Sequence, residues 1–230
     1  MALPQWVKLP TAWVEDGRLA ELKWNRGDGS NNVSALMVLA VAAHHMRPEN
    51  GVARLTYDEL CEKTSLSRAK VADGLAVLQD MELLEREPEG RSTLKVANYD
   101  PAGGWAKFPA KGLYRNGVVA AFSEFRLRHP AELDALKLYY LFASRRDRQS
   151  NAAHITYEQI SEYTDIPYQN IRRGLSILAA NGLIHVEQVQ SAQSKYGIAN
   201  AYRLPQIDPR RHRGTIGRDD SAFFAMDDEF

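Results

Sequence analysis

Five residues within a span of six carry side chains suited to contacting nucleic acid: Tyr168, Gln169, Asn170, Arg172 and Arg173. The carboxamides of Gln and Asn match the paired donor and acceptor on the major-groove edge of adenine. A guanidinium matches guanine or a phosphate. Within the same stretch, "YQNIRRGLSILAA", Ile171, Leu175 and Leu178 recur at helical spacing. One helix face is therefore apolar and the polar set lies on the other, with no carboxylate among it. Farther along, Lys195 stands in an expected hairpin turn and Arg203 follows it. "PRRHRGTIGR" then carries Arg210, Arg211, Arg213 and Arg218, an arm suited to phosphate or minor-groove contact. The competing reading of these cations is a solvated helix face and a solvated tail.

One hundred residues earlier a weaker version of the same set occurs. Ser67, Arg68 and Lys70 open "SRAKVADGLAVLQD", and Arg91 sits in a turn that follows. Here Asp73 shares the face, and Glu85, Glu87 and Glu89 line the approach, so phosphates are partly repelled. Contact with DNA competes in this region with dimerisation or docking on a protein partner.

The elements that position these residues come from a duplication. "LTYDELCEKTSLS" at Leu55 is answered by "ITYEQISEYTDIP" at Ile155, "WVKLP" at Trp6 by "WAKFP" at Trp105, and "ALMVLAVAAHHM" by "ALKLYYLFASRR". Thr56 with Glu59, and Thr156 with Gln159, are capping boxes, so short helices start just after each threonine and end near Thr64 and Thr164. Ser67 caps a second helix in one copy. Pro167 stands at the start of its counterpart, where a missing N–H costs nothing. "LLEREPEGRSTLKVANY" and "LIHVEQVQSAQSKYGIANAYRL" each read as strand, turn, strand. A helix, a tight turn, a second helix and a two-stranded hairpin make a winged helix-turn-helix. The expected fold is mainly α with small β hairpins (α+β), as two tandem modules over residues 1–98 and 105–207. "NYDPAGG" would join them, and residues 208–230 would form a disordered basic arm and acidic aromatic tail.

"LTYDELCEKTSLSRAKVADGLAVLQDMELLERE" and "NIRRGLSILAANGLIHVE" resemble the winged helix-turn-helix domains of bacterial regulators and replication proteins. The opening "WVKLP" is similar to the start of some phage and plasmid replication proteins. The paired architecture resembles plasmid replication initiators, although their own amino-terminal pattern is not present. The resemblance implies sequence-specific binding of double-stranded DNA by a replication initiator or transcription regulator of a bacterium or mobile element. It also implies that one domain leads on DNA while the other makes protein contacts, including a homodimer through the first domain. The alternative is an adaptor, similar to the tandem winged-helix partners of chromosome-condensing complexes, which holds proteins and reads no sequence.

Composition narrows the rest. Lys and Arg number 29 and so do Asp and Glu, which argues against an indiscriminate coat for nucleic acid. The balance is uneven: 12 cations face 15 anions up to Asp100, and 13 face 8 from Pro101 to Ile207. The longest apolar run, Ala35 to Ala43, suits a buried helix rather than a membrane span, and no secretory signal is evident. A single cysteine, Cys61, suits packing and a reducing cytoplasm, where the resemblance implies a nucleoid or plasmid association. His44 and His45 are adjacent, so a helix would aim them apart, and no metal site completes around them. No phosphate-binding loop, dinucleotide glycine pattern or nucleophile elbow occurs. The expectation is therefore no enzyme, no cofactor and no membrane. The ending "DDSAFFAMDDEF" is similar in style to the acidic, Phe-terminated tip by which single-strand-binding proteins recruit partners. It could instead fold back and compete with DNA for the basic arm.

Overall fold

The computed structural model describes residues 3–190 and 198–207, and over these the chain is mixed helix and strand. Strand β1 (Trp6–Pro10) leads through a short helix α1 (Ala12–Glu15) and a 3-10 turn (Arg18–Glu21) into helix α2 (Gly29–His45). Strand β2 (Val52–Arg54), helices α3 (Tyr57–Thr64) and α4 (Arg68–Asp80), and strands β3 (Leu84–Arg86) and β4 (Thr93–Val96) complete the first half. The second half starts with β5 (Trp105–Pro109), a small hairpin of β6 (Tyr114–Arg115) and β7 (Val118–Val119), and a 3-10 turn (Ala120–Glu124). It continues with α5 (Pro130–Ser144), β8 (Ala152–His154), α6 (Tyr157–Thr164), α7 (Tyr168–Ala180), β9 (His185–Gln190) and β10 (Ile198–Arg203). The last three strands of each half form an antiparallel sheet in matching order, β2-β4-β3 and β8-β10-β9.

Local chemistry explains the helix starts. Thr56 accepts from the amide of Glu59, whose carboxylate returns to the Thr56 amide at 2.8 Å. Thr156 and Gln159 repeat the device at 3.3 and 3.0 Å. Ser67 accepts from the Lys70 amide at 3.3 Å, and Pro167 precedes α7. At the other ends, the Thr64 and Thr164 hydroxyls donate to the carbonyls of Leu60 and Ile160 and accept from the amides of Leu66 and Ile166. The turn between the paired helices is thus built twice from the same hydroxyl.

Helix α2 is buried along its length from Val33 to His44, with α4 against one side and α5 against another. Gly74 makes the α4 contact close, because a Cβ there would stand 2.8 Å from the Ser34 carbonyl carbon. Tyr140 of α5 donates its hydroxyl to the Leu36 carbonyl at 2.7 Å, and Lys137 donates to the Leu22 carbonyl at 3.0 Å. One continuous apolar cluster runs through both halves. Residues 98–104 connect the halves, but no gap in this cluster corresponds to them.

The contacts between the halves follow the repeat. Strands β1 and β5, which are the repeated "WVKLP" and "WAKFP", pair antiparallel with each other. Lys8 faces Lys107 at the centre, and Trp6 faces Pro109 as Pro10 faces Trp105. Exchanging each residue for its counterpart leaves this register unchanged. The same exchange turns the Lys23–Asp165 ion pair into the Ser123–Ser65 hydroxyl contact at 3.1 Å. The arm that opens each half therefore packs on the turn between the paired helices of the other half.

Candidate nucleic-acid interface

Helix α7 presents Tyr168, Gln169, Asn170, Arg172 and Arg173 to solvent, while Ile171, Leu175 and Leu178 are buried against α5. The face forms here because the apolar positions recur at helical spacing and Gly174 lets α7 lie close to α5, with Ala135 N 3.3 Å from where a Cβ would be. Tyr168 is 52% exposed; its ring meets Tyr157 edge-on at 5.2 Å and its hydroxyl donates to Glu158 at 3.3 Å. Among the described residues no carboxylate pairs with Arg172 or Arg173. Two guanidinium groups and two carboxamides thus stand open on one helix, the chemistry needed at a groove floor and its phosphate walls.

The equivalent face of α4 is different. Where α7 has Gln169, Arg172, Arg173 and Ser176, α4 has Ala69, Ala72, Asp73 and Ala76. Ser67 is occupied as a helix cap. Arg68 is paired with Asp58 at 2.9 Å and lies over the Tyr57 ring at 5.0 Å. The Lys70 ammonium is held by Ser30 at 3.0 Å, Asn31 at 2.7 Å and Asp73 at 3.1 Å. Arg91 is exposed in the β3–β4 turn, beside Glu89, which pairs with Arg47. Of the three first-half candidate cations only Arg91 is both exposed and without a carboxylate partner among the described residues.

Arg203 is a correction. Its place in the sequence suggests a phosphate contact, but it lies in the central strand β10 with its side chain only 8% exposed. Its Nε and Nη2 bind the two oxygens of Glu187 at 2.8 and 3.1 Å, and Nη1 donates to the Ser150 carbonyl at 2.7 Å. Three of its five N–H donors are thus bound within the fold, and the side chain is buried. Lys195, Arg210, Arg211, Arg213, Arg218 and the acidic segment 219–230 lie outside the described residues.

His44 and His45 also differ from expectation. Adjacent on α2, they nonetheless converge on one phenol: Tyr114 Oη is 2.9 Å from His44 Nδ1 and 3.5 Å from His45 Nε2. The β6 strand of the second half brings Tyr114 into the notch between the two rings. Burial, then the neighbouring His45, push the His44 pKa down to about 3; burial, then Lys63, push His45 down to about 4. Burial raises the Tyr114 phenol well above its usual range. The cluster bonds the halves to each other, and no group of three or more His, Cys, Asp or Glu among the described residues is arranged to hold a metal ion. Cys61 is half-buried on α3 and its thiol pKa is raised, chiefly by burial.

A second cationic feature is visible only in the folded chain. Lys8, Lys107, Trp6 and Trp105 gather on the outward side of the β1–β5 ribbon. Its signal is present in the repeated "WVKLP" and "WAKFP", but nothing local says that two such segments pair with each other. No protein-family model matches this chain, and neither does any curated protein. No helix among the described residues is long and apolar enough to cross a membrane.

Proposed function

We propose that each half is a winged helix-turn-helix and that the chain binds double-stranded DNA selectively, with α7 as the reading helix. The observation that carries this reading is the open face of α7, where Arg172 and Arg173 are exposed without a carboxylate partner among the described residues. The order helix, strand, two helices, two strands, with the first strand beside the last in each sheet, supports the fold part of the proposal. The process is replication initiation or transcription control at a bacterial nucleoid or plasmid, which follows the resemblance of the helix pair to such proteins. The basic arm at Arg210, Arg211 and Arg213, with Lys195, would add phosphate contacts.

The test is a binding titration across salt concentrations. Replacing Arg172 and Arg173 together with Ala is expected to weaken binding and reduce the slope of log K against log salt by about 0.9 for each phosphate no longer neutralised. An unchanged slope removes both from the interface. The α4 face supports a second role for the first half: Ala69, Ala72 and Ala76 are exposed, and Lys70 is tied down. Such a face suits protein contact, as an adaptor or a homodimer, better than phosphate. A retained protein partner with no sequence-selective shift of DNA would favour the adaptor reading for the whole chain.

A further inference from the structure

Lys8 and Lys107 stand directly opposite one another at the centre of the β1–β5 ribbon. Like charges so placed repel, and no carboxylate among the described residues pairs with either. The Lys8 ammonium donates to the Pro101 carbonyl at 2.7 Å, and the other neighbours of both lysines are indoles. Lys8 Nζ lies 4.6 Å from the Trp105 ring centre and Lys107 Nζ 4.4 Å from that of Trp6. The two rings lie 6.2 Å apart and nearly parallel, at 18°. Val7, Leu9 and Phe108 take the inward side, so the lysines and tryptophans form an outward, half-buried face. Two unneutralised charges flanked by aromatic surface suit an extended acidic segment that carries aromatic side chains.

The chain contains such a segment at 219–230, "DDSAFFAMDDEF". The described chain also approaches the ribbon at the right place. Gln5, next to Trp6, donates its side-chain amide to the Gln206 carbonyl. The eleven residues 208–218 that follow can span up to about 38 Å, against about 17 Å for a five-residue strand. Reach is therefore ample, and the tether makes the encounter intramolecular, with an effective concentration in the millimolar range. Single exposed ion pairs contribute little, about 0.2–1 kcal/mol, so several carboxylates and the phenyl rings must act together.

We propose that segment 219–230 docks on the outward face of the β1–β5 ribbon, with its carboxylates against Lys8 and Lys107 and its phenyl rings against Trp6 and Trp105. The occupant is the chain's own segment, and the proposal stands whether or not the protein binds DNA.

The full chain is treated with a carbodiimide, which joins a lysine to a carboxylate only in direct contact, and the products are read by mass spectrometry. The expected links run from Lys8 or Lys107 to Asp219, Asp220, Asp227, Asp228 or Glu229, within one chain and unchanged by dilution. They are expected to vanish when salt near 1 M cuts the screening length to about 3 Å. In the Lys8→Gln/Lys107→Gln chain, linking of 219–230 is expected to disappear rather than pass to other lysines. The Lys95–Glu85 pair, 3.8 Å apart, should still link and reports that this variant is folded. Links spread evenly over other lysines, links only between chains, or undiminished linking in the double variant would each overturn the proposal.

Discussion

Tyr140 donates its hydroxyl to the carbonyl of Leu36 at 2.7 Å, across the contact between α5 and α2. Its chain neighbour Tyr139 is also buried, yet the Tyr139 hydroxyl has no hydrogen-bond partner among the described residues. Two adjacent tyrosines in one interior should therefore answer the same substitution in opposite directions. Tyr140→Phe removes a satisfied bond and is expected to destabilise by about 1 kcal/mol. Tyr139→Phe removes an unsatisfied polar group and is expected to leave stability unchanged or raise it by about 1 kcal/mol. Denaturant unfolding of both variants checks the pair, and equal losses would mean that Tyr139 Oη has a partner in solution.

Gly74 and Gly174 are counterparts in the two halves, but what surrounds them differs. A Cβ on Gly74 would meet backbone, the Ser34 carbonyl carbon at 2.8 Å and Ala35 N at 2.9 Å. Backbone of a buried helix cannot step aside cheaply, so Gly74→Ala is expected to cost about 1–3 kcal/mol. A Cβ on Gly174 would first meet Leu138 Cδ1 at 2.8 Å, the end of a side chain, with Ala135 N at 3.3 Å. The better helix propensity of Ala, worth about 1 kcal/mol, then offsets much of the strain. Gly174→Ala should stay within about 1 kcal/mol of the parent. Parallel thermal melts distinguish the two.

Features that depend on a few neighbouring residues were legible in the sequence. Thr56, Thr156 and Ser67 cap where their local patterns place them, and α3 and α6 end at Thr64 and Thr164. The repeat established that the halves share a design. What one half does to the other was not legible. Pairing of β1 with β5, the exchange of arms through Lys23 and Asp165, and the meeting of His44 with Tyr114 all join residues far apart in the chain. No periodicity encodes them. The Arg203 expectation failed for a related reason. Its charge suggested a surface, whereas β10 is the middle strand and Glu187 lies on the adjacent one.

The histidine pair sets a response to acid. The folded-state pKa of His44, about 3, lies below its ordinary value of 6.5. In that interval the unfolded chain binds a proton that the folded chain refuses. Stability is therefore full above pH 6.5 and falls as pH drops toward about 3, with a slope near 1.4 kcal/mol per pH unit for one such imidazole. His45 acts in the same direction, with a folded-state pKa of about 4. Asp134 opposes them: burial raises its carboxyl to about 6, so its protonation favours the folded state as pH falls. His44→Leu isolates the histidine contribution. Its unfolding free energy between pH 6.5 and 4 should fall less steeply than that of the parent, and identical slopes would show that His44 protonates freely in the folded chain.

Arg203 and Glu187 form a nearly enclosed bidentate pair, 8% and 17% exposed at the side chains, with the Ser150 carbonyl accepting from a third guanidinium N–H. Removing one partner of such a pair leaves an uncompensated charge, which costs about 3 kcal/mol or more. Arg203→Ala is thus expected to lower stability substantially, and adding Glu187→Gln should restore part of the loss, because the carboxylate has lost both of its guanidinium bonds. DNA binding separates this structural role from the phosphate-binding role that the sequence suggests. At a temperature where the variant remains folded, Arg203→Ala should leave the salt slope of binding unchanged, whereas in the Arg172→Ala/Arg173→Ala chain the slope drops by about 0.9 per phosphate released. A slope reduced by Arg203→Ala as well would mean that the Glu187 pair opens on DNA, because a side chain only 8% exposed and held by Glu187 and Ser150 is not placed to reach a phosphate.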